Sequence, residues 1–213
     1  MQTAFLFDCD GVVLDTEPQY SRFWERIGRA RFPGDAQFAQ RIKGQTLTAI
    51  KRRYFAASPA DMAWIDRELE AYELQMDYTY VPGSRGFVEA CRAAGFPTAL
   101  VTSSDRAKMA RVSRARPEFH TLFDRVFTAE DAPRSKPAPD CNLAAARHFG
   151  LEPGRCVVVE DSLNGLRAAR QSGARVVGLA TGLPASELAP CCDFVLPSLR
   201  GLSPADVLDR LRM

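Results

Sequence analysis

The chain has 213 residues, 46% of them hydrophobic, which is enough to bury a full core as one domain or as a core carrying one sizeable insertion. Its formal charge of +2 gives no reason to expect nucleic acid or an anionic membrane as partner, and no apolar run approaches the roughly twenty residues that span a bilayer. Cys9, Cys91, Cys141, Cys156, Cys191 and Cys192 are scattered without Cys-x-x-Cys spacing, which argues against a zinc or disulfide framework and for reduced thiols in a cytoplasmic protein.

In chain order, residues 3–7 are the first of six short apolar runs that alternate with helical patterns. No basic segment precedes this run, so no signal peptide is expected. Residues 17–79 then break the rhythm, with helical patterns and no convincing strand. Tyr20, Phe23, Trp24 and Ile27 share one helical face, and Leu47, Ile50, Tyr54 and Phe55 form a second stripe. Ser58-Pro59 opens a further helix carrying Met62, Ile65, Leu69 and Tyr72. These stripes read as helix-packing core, and the block as an all-helical cap inserted at 16–80. The remainder, 1–15 and 81–213, is the expected core domain. There Ser84 is expected to cap a helix over 84–94, followed by a strand at 97–101, a helix from Arg106, and a strand at 125–128. A helix over 139–149, a strand at 156–159, a helix over 164–172, strands at 175–179 and 194–196, and a last helix from Ser203-Pro204 complete the series. The strand runs are apolar without alternation, as parallel strands covered on both faces are. The pattern predicts an α/β fold with a doubly wound parallel sheet.

Strand ends carry the chemistry. Asp8 and Asp10, two apart after the first strand, project the same way beyond its carboxyl end, where open α/β sheets bind ligands. Two close carboxylates stay ionised near neutrality only with a cation between them, so the pair predicts a hard metal such as Mg²⁺. Thr102, Ser103 and Ser104 follow the second strand, where hydroxyls and amides at a helix start suit a phosphate. They also suit plain N-capping. Lys136 follows the third strand and is one of only four lysines, against twenty-four arginines. Its ammonium can neutralise a phosphoryl oxygen and a carboxylate. Glu160 and Asp161 end the fourth strand and can complete a metal site.

Phe7-Asp8-Cys9-Asp10-Gly11-Val12-Val13-Leu14-Asp15-Thr16-Glu17, Val101-Thr102-Ser103-Ser104, Ser135-Lys136-Pro137-Ala138-Pro139-Asp140 and Glu160-Asp161-Ser162-Leu163-Asn164-Gly165 together resemble the haloacid dehalogenase superfamily, on its branch of phosphatases and β-phosphoglucomutases with a helical cap. The resemblance implies an Mg²⁺-dependent hydrolase of a small phosphorylated metabolite, a phosphosugar or a phosphoglycolate-like compound. In it Asp8 is the nucleophile that forms an aspartyl phosphate, and Asp10 the general acid/base. Thr102 and the amides after it hold the phosphoryl group, Lys136 balances charge, and the metal ligands are Asp8, the Asp10 backbone carbonyl, Asp161 and Glu160. Substrate-facing positions are expected at Thr16 and Glu17 and in the loop Gly44-Gln45-Thr46, with Ser103 and Ser104 opposite, and hinges near 14–16 and 81–83. Asp10 argues against the dehalogenase and phosphonate-cleaving branches. The rival is a mutase, whose branch carries histidine where Tyr20 stands, a cap arginine where Leu47 stands, and a later cap lysine that this chain lacks. A non-catalytic domain that merely retains the fold is the third reading, disfavoured because every charged group is kept. Nothing in the sequence sets the oligomeric state, and a monomer is compatible with it.

Overall fold

The computed structural model describes residues 2–42 and 45–213, so Lys43 and Gly44 of the expected substrate-facing loop lie outside the described residues. The strands are β1 (Ala4–Phe7), β2 (Thr98–Val101), β3 (Arg125–Phe127), β4 (Cys156–Glu160), β5 (Arg175–Leu179) and β6 (Phe194–Leu196), joined in one sheet. Every run expected to be a strand is one, to within a residue at either end. All pairings are parallel, in the order β3-β2-β1-β4-β5-β6.

Side-chain period explains the layers. Phe5, Phe7, Leu100, Val157, Val159, Val177 and Leu179 enter one apolar cluster, while Ala4, Leu6, Ala99, Val101, Val158 and Val176 enter another on the opposite face. The helices that cover those faces complete a doubly wound α/β fold. In chain order the described helices are α1 (Glu17–Arg31), α2 (Phe38–Ile42), α3 (Leu47–Ile50), α4 (Pro59–Glu73), α5 (Ser84–Ala93), α6 (Arg106–Ala115), α7 (Asp140–His148), α8 (Leu163–Ser172), α9 (Ala185–Leu188) and α10 (Pro204–Leu211). None is long and apolar enough to cross a membrane. The chain winds outward from β1 through β2 to β3, then returns to β4 on the other side of β1. The strand order therefore reverses between β1 and β4, and their carboxyl ends border the crevice where such sheets bind ligands.

A third apolar cluster, with Phe23, Ile27, Phe38, Ile50, Phe55 and Ile65 among its members, is drawn wholly from the segment between α1 and α4. The two chain crossings into and out of that segment pair with each other: Asp15 donates its N–H to Thr79 and Val81 donates to Val13, each at 2.9 Å. One expectation needs correction. Ser84 does not cap α5, because its hydroxyl donates to the Val13 carbonyl at 2.9 Å. The turn into α5 is made instead by Gly83 at φ 88°, a left-handed conformation that glycine adopts without penalty.

Candidate active site

Asp8 is the first residue beyond β1, and its backbone N–H still donates to Val159 of β4, so the side chain emerges at the strand-order reversal. Lys136 meets it there. The Lys136 ammonium is 4% exposed and reaches Asp8 Oδ1 and Glu160 Oε1 at 2.6 Å each, and the Val101 carbonyl at 3.2 Å. Three acceptors satisfy its three protons. The turn that delivers Lys136 is clamped from both sides by Arg134, whose guanidinium donates to the two Asp140 oxygens at 3.0 and 2.7 Å. Burial raises the Asp8 carboxyl to about 7, with Lys136 pulling it down and Glu160 and Asp10 adding to the rise. Burial opposes charge on Lys136 too, but Asp8 and Glu160 outweigh it and hold the ammonium well above its ordinary value.

Asp10 lies two residues on and is engaged by three donors. Ser104 Oγ donates to Oδ2 at 3.1 Å, Thr16 Oγ1 donates to Oδ1, and Lys108 Nζ reaches both oxygens at 2.6 Å. Burial alone would raise this carboxyl; the Lys108 charge and the hydrogen bonds from Lys108, Thr16 and Ser104 bring it below the usual range. Asp10 opposes the burial penalty on Lys108 and keeps its ammonium protonated. The two acids at the end of β1 thus have opposite electrostatics, each with its own lysine.

Asp8, Glu160 and Asp161 each offer a carboxylate oxygen, and those atoms all lie within 4.8 Å of one another. Glu160 and Asp161 are 1% exposed. Lys136 bridges two of the three acids, so the cluster keeps an excess of negative charge. An all-oxygen set of this kind fits a hard divalent cation. Gly11, at φ 79°, lets the chain turn tightly past them; a β-carbon there would press on the Asp161 carboxylate and the Glu17 side chain. Glu160 also accepts from the Ser162 N–H and hydroxyl at 2.8 and 3.0 Å, so both its oxygens are engaged by protein groups.

A family model for haloacid dehalogenase-like hydrolases matches residues 2–173. The chain belongs to the haloacid dehalogenase-like hydrolases. This hydrolase is 33% identical over 205 residues to hexitol phosphatase A of Escherichia coli (strain K12), covering 94% of this chain and 93% of that protein. It is 30% identical over 200 residues to the chloroplastic protein SUPPRESSOR OF QUENCHING 1 of Arabidopsis thaliana, covering 85% of this chain but only 18% of that much longer protein. Among solved structures, CbbY of Rhodobacter sphaeroides in complex with xylulose-(1,5)bisphosphate matches it with a TM-score of 0.79 at 25% identity, over 96% of this chain and 98% of that one. With a family of hydrolases and a phosphatase matched along nearly its whole length, the protein is a phosphoric monoester hydrolase.

In this haloacid dehalogenase-like hydrolase a cavity of about 530 Å³ opens over the sheet edge. Asp8, Asp10, Thr102, Ser103, Ser104, Lys136, Glu160 and Asp161 form one end of it, and Glu17 and Gln45 line it from the helical side. Thr102 is buried, and its hydroxyl accepts from the Ser104 N–H at 3.0 Å, which shapes the loop ahead of α6. Thr16 differs from its expected position facing substrate: it is fully buried, with its hydroxyl on Asp10. Gln45 donates to the Arg41 carbonyl at 2.8 Å while bordering the cavity. Three cavity residues escape motif reading. Lys108 is one; the others are the half-buried Arg111 on α6 and the buried Glu73 at the end of α4, which form an ion pair in the cavity wall. The sequence motifs do not single out Lys108; the scarcity of lysine is the one signal that could have found it.

Proposed function

We propose that the protein is an Mg²⁺-dependent phosphatase that hydrolyses a small phosphorylated metabolite, a phosphosugar or a phosphoglycolate-like compound, through an aspartyl phosphate on Asp8. The observation that carries this reading is the meeting of Asp8, Lys136, Glu160 and Asp161 at the strand-order reversal, with Asp10 beside them. The hexitol phosphatase likeness and the sugar bisphosphate bound to CbbY support the substrate class.

A carboxylate attacking a phosphate ester meets charge repulsion, which the site must cancel. Asp8, Asp161 and Glu160 would hold a divalent ion, which supplies positive charge at the transferring phosphoryl oxygens. Lys136 orients the Asp8 carboxylate and balances its charge. An Asp8 oxygen bonds to phosphorus as the ester P–O bond breaks; the electron pair leaves with the ester oxygen, which takes a proton from Asp10. Lys108 holds Asp10 ionised in the free site, so Asp10 must first take up a proton as the anionic substrate enters beside it. Asp10 then accepts a proton from the water that attacks the phosphorus of the aspartyl phosphate, releasing inorganic phosphate and restoring Asp8. Thr102 and the amides after it, with Ser103 and Ser104, bind the phosphoryl group. Residues 16–80 act as a cap domain on a core of 1–15 and 81–213, with Glu17 and Gln45 facing the rest of the substrate and Thr16 acting through Asp10. Leu47 lines the cavity where a mutase would carry arginine, which favours the phosphatase over the mutase.

The test is phosphate release from a panel of phosphorylated metabolites, with Mg²⁺ and with chelator. Turnover is expected on sugar or alditol phosphates, lost on chelation and in Asp8→Asn, with the circular dichroism of the variant unchanged. Substantial activity in Asp8→Asn would remove the nucleophile from this scheme.

A further inference from the structure

Lys108 belongs to none of the motifs that carry the family resemblance, yet it is 4% exposed in the wall of the cavity. A helix lysine normally extends its ammonium to water, and burying one is costly unless an acid meets it. Here both Asp10 oxygens lie 2.6 Å from Nζ, and they are its hydrogen-bond acceptors among the described residues. On its other side the Tyr20 ring stands 4.3 Å away, a cation–π contact that supports the ammonium. That ring is itself fixed, because the Tyr20 hydroxyl donates to Glu73 at 2.7 Å. Lys108 is also tied to the phosphate-facing loop: α6 starts directly after Thr102–Ser104, and Asp105 caps it by accepting the Lys108 N–H at 2.8 Å. One short element therefore carries both the expected phosphoryl cradle and the cation that fixes Asp10.

We infer that Lys108 is a positioning residue that sets the direction of the Asp10 carboxyl toward the leaving-group oxygen, with the Tyr20 ring as its support. The inference rests on the acid/base reading of Asp10. Thr16 and Ser104 are neutral donors that each hold one Asp10 oxygen; Lys108 is the one charged donor and reaches both, so it supplies the strongest hold on where the carboxyl sits. A misdirected carboxyl fails where the departing oxygen needs a proton, and matters little where it does not.

The experiment compares a sugar phosphate, whose alkoxide must be protonated as the P–O bond breaks, with p-nitrophenyl phosphate, whose phenolate leaves unprotonated. The quantity is kcat/KM, which stops at ester cleavage and so excludes the later attack of water. Lys108→Met is expected to lower kcat/KM for the sugar phosphate by about 10²-fold, the scale of one general acid, with a much smaller loss on p-nitrophenyl phosphate. Lys108→Arg, which keeps a bidentate cation, is expected to restore most of the difference. Asp10→Asn is run in parallel and should show the same selectivity. If Asp10→Asn is selective and Lys108→Met lowers both substrates equally, or neither, the positioning role is overturned. Should Asp10→Asn itself lower both equally, the acid reading of Asp10 falls and the inference with it. Thermal melts of each variant identify loss of fold, and a Lys108→Arg protein that folds but stays as defective as Lys108→Met also counts against positioning.

Discussion

At Asp8, burial together with Glu160 and Asp10 outweighs the single ammonium of Lys136, so the metal-free carboxyl is raised to about 7. The sign of the consequence is fixed: below about 7 a proton competes for the oxygen that a cation needs, and above it none does. Mg²⁺ affinity of the metal-free protein should therefore tighten as pH rises, about tenfold per unit below neutrality if one proton is displaced, and level off beyond it. Isothermal titration between pH 5.5 and 8 in buffers of different ionisation enthalpy measures both the affinity and the proton released; a flat affinity with no proton release would contradict it. The same scale shows what a sequence conceals. Asp8, Glu160 and Asp161 sit at strand ends, where side-chain direction follows from the pleat and the sheet edge, so their convergence is legible before any coordinates; Lys136 lies in the loop between β3 and α7 and is legible only from the motif around it. Lys108 sits one turn inside a helix, and its direction is decided by how α6 docks, which no spacing encodes.

Helix α6 joins the phosphate-facing loop to Lys108 and Arg111, so its start matters more than its length of ten residues suggests. Asp105 accepts the Lys108 N–H in an extended conformation, satisfying one of the donors that a helix start leaves open. Asp105→Ala should cost about 1 kcal/mol of stability in urea unfolding. A loss within experimental error would mean that the loop, not the cap, holds the helix start. Strands and long helices were readable because burial on both faces and capping residues leave strong local signals. α2 and α9, of five and four residues, are too short to show a period. The stripe of Leu47, Ile50, Tyr54 and Phe55 predicts one continuous face, but the chain forms a π-helical turn at Lys51–Phe55. With hydrogen bonds spanning five residues, Ile50 and Phe55 come onto one buried side, at 3% and 4% exposure, and Tyr54 rotates partly outward.

Across the whole molecule, the helical segment and the sheet-bearing part meet at an ion pair between the buried Glu73 and the half-buried Arg111 rather than through apolar contact alone. Glu73, at the end of α4, is 4% exposed and receives hydrogen bonds from Tyr20 and from Arg111 of α6. Tyr78, on the return crossing, donates to the Glu73 carbonyl at 3.0 Å. Removing Arg111 leaves the Glu73 carboxylate buried with a single neutral donor, which is costlier than never having a charge there. Arg111→Met should thus lower stability by about 2 kcal/mol, less than the full cost of breaking a buried pair because the Arg111 side chain keeps 17% of its exposure. The double variant Glu73→Leu/Arg111→Met, which removes both charges, should recover at least half of that loss by about the same reasoning. A double-mutant cycle in urea measures the coupling directly. If the double variant is as unstable as the sum of its parts, the pair is not what joins the two parts of the molecule. The paired crossings, Asp15 with Thr79 and Val13 with Val81, would then have to account for the junction.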